Sequence, residues 1–379
     1  MKKNLRNVLA LALGLMTTVS FAQDWNVDSR TRIDNGGDFD RMTTDQRVTL
    51  GATWGGSDWG IHVSSDVNYT LGAGATAGDA GVPMSIYEAY ASTNLFGMAN
   101  VTVGRQALDY GSGALISSNQ WNAKRTTWDG ASFDLGLSDM ADITIGMARN
   151  NSGVEGAEDN ANMYANIAGS FSGWDVNILY MTQEGLTAGG TVASDDAATG
   201  IDISGGVMGA NVNISMNTDF DGDEYRVLGL TYNINDDMAV NVASTTYGDA
   251  VELEAANAGV DGVVGTADDV AAVMSTGFDM RGTNMSGGWA NGNMGYLAAS
   301  DEMLSYGITY NMGNISLGAQ MHTVTNDVTQ TDEWERKVSE IMIGYSLGDN
   351  ASLSYHMASD DNGTDTETKY SWLTLTVTP

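Results

Sequence analysis

WGIHVSSDVNY, residues 59–69, alternates without a break: Trp59, Ile61, Val63, Ser65, Val67 and Tyr69 on one side, Gly60, His62, Ser64, Asp66 and Asn68 on the other. A period of two means a strand with one apolar and one polar face. The same pattern precedes it from Trp25 to Ile33, where Asn26, Asp28, Arg30 and Arg32 take the polar side. It returns near the end, where Leu353, Tyr355 and Met357 alternate with Ser352, Ser354 and His356. Each run is about ten residues long, the length of a tilted strand crossing a bilayer, whereas strands of a soluble sandwich are nearer 5–6 residues.

The connections between runs come in two kinds. Tight ones recur at Gly55-Gly56-Ser57, Phe96-Gly97-Met98, Ser138-Asp139-Met140, Ser172-Gly173, Asn235-Asp236-Asp237, Met312-Gly313 and Leu347-Gly348-Asp349. Longer ones fall between them, at about 71–83, 107–124, 150–160, 186–197, 247–275 and 325–332. Short turns alternating with long loops, with aromatic residues near strand ends, are the layout of an antiparallel up-and-down β-barrel in an outer membrane. At roughly ten residues per strand plus half a turn and half a loop, the chain predicts an all-β transmembrane barrel of about 18 strands, within a range of about 16–20. Phe278 to Ser300 is the hardest stretch to divide. A parallel β-helix would need a fixed-period repeat, and none is present.

Residues 1–22 read as a cleaved export signal. Lys2, Lys3 and Arg6 precede an apolar run from Val8 to Val19, and Ser20-Phe21-Ala22 supplies small residues around a cleavage point. The run of about 12 residues is too short for a spanning helix, which needs roughly 20. Residues 23–379 then form one barrel domain in the outer membrane of a Gram-negative cell. That domain holds no Cys and sets 13 basic against 48 acidic residues, a net charge of −35. Such acidity excludes a nucleic-acid binder that works by neutralising phosphates. The 9 Trp and 15 Tyr argue against acidic disorder.

Asn100 to Leu137, NVTVGRQALDYGSGALISSNQWNAKRTTWDGASFDLGL, reads as a strand end, a loop and a strand start. With Gly104-Arg105-Gln106, Tyr110-Gly111, Trp121-Asn122 and Arg125-Thr126-Thr127-Trp128-Asp129-Gly130, it resembles the alginate-export and related porin superfamily. One extra Thr separates Arg125 from the aromatic residue. The resemblance implies a single-chain barrel of about 18 strands whose third outer loop folds inward. The residues suit that role: Gly111 and Gly113 give a flexible backbone, and Asp109, Asn119, Gln120, Lys124 and Arg125 give polar groups for a wet channel. The other arrangement leaves the loop over the barrel mouth, with Arg125 and Asp129 pairing at the strand end. Arg105 and Asp129 fall in register with lipid-facing Val103 and Phe133 unless a bulge intervenes.

Selectivity of a channel comes from charges at its narrow part. Residues 23–130 hold 7 basic and 12 acidic side chains, while the rest of the mature chain holds 6 and 36. Arg30, Arg32 and Arg47 lie on polar strand faces; with Lys124 and Arg125 they can form a basic wall opposite Asp66 and Glu88, or be solvated lumen charges without a selective role. Small hydrophilic solutes and ions, with a mild cation preference, fit this chain better than an anionic polysaccharide, which would need heavy Arg and Lys lining. No cofactor is expected. Asp219, Asp221 and Asp223, and Asp261, Asp268 and Asp269, are candidate Ca²⁺ ligands in outer loops, though solvated acidic loops are the simpler reading. Expected partners are outer-membrane lipid and lipopolysaccharide, the barrel-assembly machinery, and further copies in a homotrimer. His62, His322 and His356 come with no hydrolase motif, so the chain is expected not to be an enzyme. Strands are expected to begin almost at once at Trp25, whereas an active transporter would need a plug domain ahead of the barrel. A barrel-anchored surface adhesin or scaffold is the strongest rival function, and polysaccharide export the second.

Overall fold

The computed structural model describes residues 22–39, 42–72, 84–120, 125–138, 141–150, 160–184, 197–254, 271–278, 297–328, 330, 334–363 and 366–378. The first thirteen strands are β1 Ala22–Asp34, β2 Thr43–Gly55, β3 Trp59–Thr70, β4 Met84–Leu95, β5 Ala99–Gln106, β6 Trp128–Ser138, β7 Ala141–Asn150, β8 Asn160–Phe171, β9 Trp174–Glu184, β10 Ala198–Val207, β11 Ala210–Thr218, β12 Glu224–Asn233 and β13 Met238–Tyr247. Two short strands, β14 Glu252–Glu254 and β15 Val273–Met274, pair with each other outside the main sheet. Then follow β16 Glu302–Met312, β17 Ile315–Thr325, β18 Glu335–Ser346, β19 Ala351–Asp361 and β20 Glu367–Val377.

The main sheet has 18 strands, each antiparallel to its neighbours, and β20 pairs back onto β1, Val377 opposite Ser29 and Trp372 opposite Asp34. Closure removes both edges, so the backbone can be satisfied in a medium with no water. Alternation assigns the faces. Ile61, Val63, Phe133, Ile145, Leu228, Leu230, Ile341 and Ile343 are exposed on the outer wall, while Ser64, Asp66, Ser132, Asn166, Ser215 and Glu340 are buried on the inner one. Outward Trp25, Trp59, Phe171, Tyr232 and Tyr345 are exposed near the short-turn end and form one aromatic girdle there.

The seven tight turns read from the sequence all join neighbouring strands, and Met208-Gly209 is an eighth. Ser172-Gly173 and Met208-Gly209 are two-residue hairpin turns with φ of 52° and 83°, and 51° and 85°. Two successive positive φ values match the twist of the flanking strands, which explains the glycine at the second position. On the opposite end, three connections are shorter than a search for long loops detects: 35–42, 219–223 and 362–366. Phe278 to Ser300 falls mostly outside the described residues and lies in the long connection between β13 and β16.

Regularity breaks between β3 and β4. Ser64 faces Glu88 and Ser65 faces Ile86, so one extra residue bulges from β4 and both Tyr87 and Glu88 turn inward. Bulges re-aim side chains in this way. Beside it Gly104 on β5 holds φ at 134°. A Cβ there would overlap the Ala89 carbonyl oxygen and lie 2.8 Å from the Tyr90 Cα. Gly104→Val is expected to destabilise the barrel by more than about 2 kcal/mol. The check is heat-modifiable migration on a denaturing gel; a variant that migrates and melts like the parent would show that the strand accommodates a side chain.

Candidate functional site

The connection from β5 to β6 enters the barrel instead of capping it. Its start is set by Glu88, whose Oε1 accepts the Ala107 amide at 3.3 Å. The loop then shapes itself: Asp109 Oδ1 accepts from Ser117 Oγ at 3.1 Å and from the Ser118 amide at 2.7 Å, and the Gly113 amide donates to the Tyr110 carbonyl at 2.9 Å. Asp109 therefore holds the loop closed on itself. The loop's far side lands on the wall made by β7 to β11. Leu115 and Ile116 are buried there in a cluster with Ala148, Tyr164, Leu179, Met181 and Ala198. Burial of two such side chains contributes about 3–6 kcal/mol toward ordering the loop.

Missing side chains prepare this landing. The Tyr164 ring lies over Gly146, its partner across the β7–β8 pair, and Tyr110 packs on Tyr164 with ring centroids 5.5 Å apart. Leu115 lies over Gly200, where its Cδ1 would meet a Cβ at 3.0 Å. Gly111, with φ at 56°, sits directly against the Asp202 carboxylate, and Ser112 meets Ser215 at 3.0 Å between hydroxyl oxygens. Burial raises the Tyr110 pKa above the ordinary phenol value.

The returning limb is held on the β1–β4 wall. Arg30 Nη1 and Arg47 Nη1 both donate to the Gln120 carbonyl, at 2.9 and 3.0 Å. These two arginines are direct cross-strand partners, an arrangement that like charges disfavour, and the shared acceptor gives both guanidinium groups the same anchor. Gln120 Nε2 donates to the Tyr87 hydroxyl at 2.7 Å. Arg125 forms a two-pronged pair with Asp66 on β3: Nε reaches Oδ2 at 3.0 Å and Nη2 reaches Oδ1. Its Nη2 also donates to Thr49 Oγ1 at 2.9 Å, and its Cζ stands 3.3 Å from the Tyr87 ring centroid. Side-chain exposure is 6% for Arg125 and 4% for Asp66, so this is a buried ion pair.

One sequence expectation, and one pairing that belonged to the alternative arrangement of the loop, are corrected here. Asp66 and Glu88 do not oppose the arginines across the lumen; they stand on β3 and β4, next to Arg47 on β2, and Asp66 is the partner of Arg125. Register decides this, since Asp66 faces Thr49 two residues from Arg47. Asp129 pairs not with Arg125 but with Arg105, through contacts of 2.7 and 2.7 Å, on the exposed outer wall. Their outward parity is real, and the bulge sits on β4 instead. Arg32 joins Arg30 and Arg47 along a cleft of about 200 Å³. Lys124, Asp261, Asp268 and Asp269 lie outside the described residues. Asp219 Oδ1 accepts from the Asp221 and Asp223 amides at 3.0 and 3.0 Å, and Asp223 accepts from Ser275 Oγ at 2.7 Å. Among the described residues no three His, Cys, Asp or Glu side chains are grouped to hold a metal ion.

Sequence reading missed two groups. Glu340 on β18 bridges His322 on β17, at 3.0 Å from Nε2, and His356 on β19, while Ser305 Oγ contacts His322 Nδ1 at 2.7 Å. The second group is Asp142, Asp175 and Asp202, which line the chamber below the loop with Asn177 and Asn213. Inward parity on β7, β9 and β10 was the available signal for it. Asp66→Ala leaves Arg125 buried without its partner and is expected to lower stability by about 3–5 kcal/mol. Unfolding of the refolded barrel in detergent by guanidinium chloride measures this; a loss below about 1 kcal/mol would mean the pair is solvated.

The sequence matches the model of the alginate export family over residues 16–202. No curated protein is significantly similar. Solved structures, among them the outer membrane protein OpdK, share the fold at low identity. OpdK of Pseudomonas aeruginosa, in a structure with vanillate, is 11% identical with a TM-score of 0.66, over 95% of this chain and 100% of that one. OccK11 (OpdR) of the same organism is 12% identical with a TM-score of 0.63, over 94% and 95%. OccAB4 of Acinetobacter baumannii is 11% identical with a TM-score of 0.61, over 95% and 99%. The matched family segment runs from before β1 into β10 and contains the whole inward loop, and the closed barrel that continues beyond it has the fold of these solved proteins.

Proposed function

We propose that this barrel is a passive diffusion channel for small hydrophilic solutes and ions, with residues 107–120 narrowing its lumen. The observation that carries this reading is the loop itself, anchored to both walls across a polar interior. A surface scaffold has no need of such a cross-piece inside its lumen. Vanillate, in the structure with OpdK, is a small organic solute of the size such a passage suits.

Export of an anionic polysaccharide, the activity in the matching family's name, is less well supported. The inward-facing guanidinium groups of the described residues, Arg30, Arg32, Arg47, Arg125 and Arg336, stand at the level of the loop or outside it. The inner half is lined by groups such as Asn26, Asn177, Asn213 and Asn241 and by carboxylates. A polyanion would lose its counter-charges halfway through. Lipopolysaccharide contact, delivery by the barrel-assembly machinery and trimerisation belong to the same proposal as features of an outer-membrane channel.

The test is single-channel recording of the refolded mature chain in a planar bilayer under a salt gradient. Stable open steps are expected, and replacing residues 109–119 by a short Gly-Ser link should raise conductance by about twofold or more. A folded barrel that never conducts would overturn the reading in favour of a scaffold. Unchanged conductance in the shortened barrel would remove the loop as the narrow point.

A further inference from the structure

We infer that the chamber between the tip of the inward loop and the short-turn mouth is a binding site for small hydroxylated organic cations, of the amino-sugar type. This rests on the channel reading and adds a solute class to it. The chamber has a volume of about 660 Å³, and the residues lining it include no Lys, Arg or His. That volume is within the roughly 300–1,000 Å³ typical of small-molecule sites.

The lining has more acceptors than donors. Asp142, Asp175 and Asp202 bring carboxylates, which accept hydrogen bonds and donate none when ionised. Ser170 already donates to Asp175. Asp202 Oδ1 and Asn177 Oδ1, on directly paired residues, have no hydrogen-bond partner. The donors on the wall are two asparagine amides and a few serine hydroxyls, among them Ser204, opposite Asp175. A solute that is itself rich in donors complements such a wall: an ammonium group for the carboxylates, hydroxyls for the amides and serines.

Among the described residues lining the chamber, no basic group neutralises the carboxylates. The arginines that could do so are committed on the far wall, Arg30 and Arg47 to the Gln120 carbonyl and Arg125 to Asp66. Meanwhile the loop forms the roof, with Ser112 bonded to Ser215 and Gly111 placed on Asp202. A solute passing under the loop therefore meets the carboxylates at close range and partly shielded from bulk water, where charge-assisted hydrogen bonds are strongest.

The experiment uses the full mature chain in a planar bilayer, with D-glucosamine, D-glucose, D-glucuronate and tetramethylammonium as probes. Glucosamine is expected to interrupt the open current at about one-tenth the concentration that any of the other three requires. In the Asp142→Asn/Asp202→Asn variant that concentration should rise about tenfold; Asp202→Asn alone, if the double variant does not refold, should raise it about threefold. Glucuronate acting first would overturn the inference and give control to the arginine wall. Equal action of tetramethylammonium would overturn the hydroxyl requirement, and equal action of glucose the charge requirement. Absence of any conductance would instead count against the channel reading itself.

Discussion

At membrane depth the inter-strand hydrogen bonds have to be made within one closed ring, because hydrocarbon offers no alternative partner to an amide or carbonyl group. Closure through the β1–β20 seam is what lets the outer wall be apolar and the inner wall wet. It also dictates the parity rule that sorts side chains between those walls. Once the ring is closed, a strand cannot slip by one residue without turning its whole apolar face inward. The bulge in β4 is therefore a local exception with a purpose: it delivers two neighbouring side chains, Tyr87 and Glu88, to the lumen at the place where the inward loop begins and ends.

That loop behaves as a strut between two walls of unlike chemistry. On one side it lands through apolar contact, Leu115 and Ile116 against β7 to β10. On the other it is held by guanidinium groups, two of them sharing one carbonyl and a third buried against Asp66. Apolar contact tolerates small shifts, whereas the two-pronged Arg125–Asp66 contact does not. The charged end therefore sets the position and the apolar end follows the wall. The result is an interior whose positive charge is gathered at one level and whose inner half presents oxygen atoms.

Much of the barrel was legible in the residues because alternation is a one-dimensional signal, and runs such as 59–69 carry it in full. Glycine turns marked one end of the barrel well. Met208-Gly209 escaped because methionine is no turn-former, and its conformation is set by the glycine that follows. The short connection at 362–366 escaped because only long loops announce themselves, whereas 219–223 was marked as a loop by its alternating carboxylates. The lumen was less legible. Parity places Asp66 inward but neither places Arg125, which precedes its strand, nor says which inward groups meet, since cross-strand register and the path of a folded loop are three-dimensional. The pairing of Asp129 with Arg105 and the joining of His322 and His356 through Glu340 were hidden for the same reason.

The glycines under the loop have a consequence for how such a pore can change over generations. Gly146 and Gly200 belong to the wall, not to the loop, yet they determine how deeply Tyr164 and Leu115 settle. The calibre of the opening is thus encoded twice, once in the strut and once in the hollow that receives it. A single nucleotide change at either codon can add a methyl group and lift the strut while leaving every residue of the strut, and every charge in the passage, as it was.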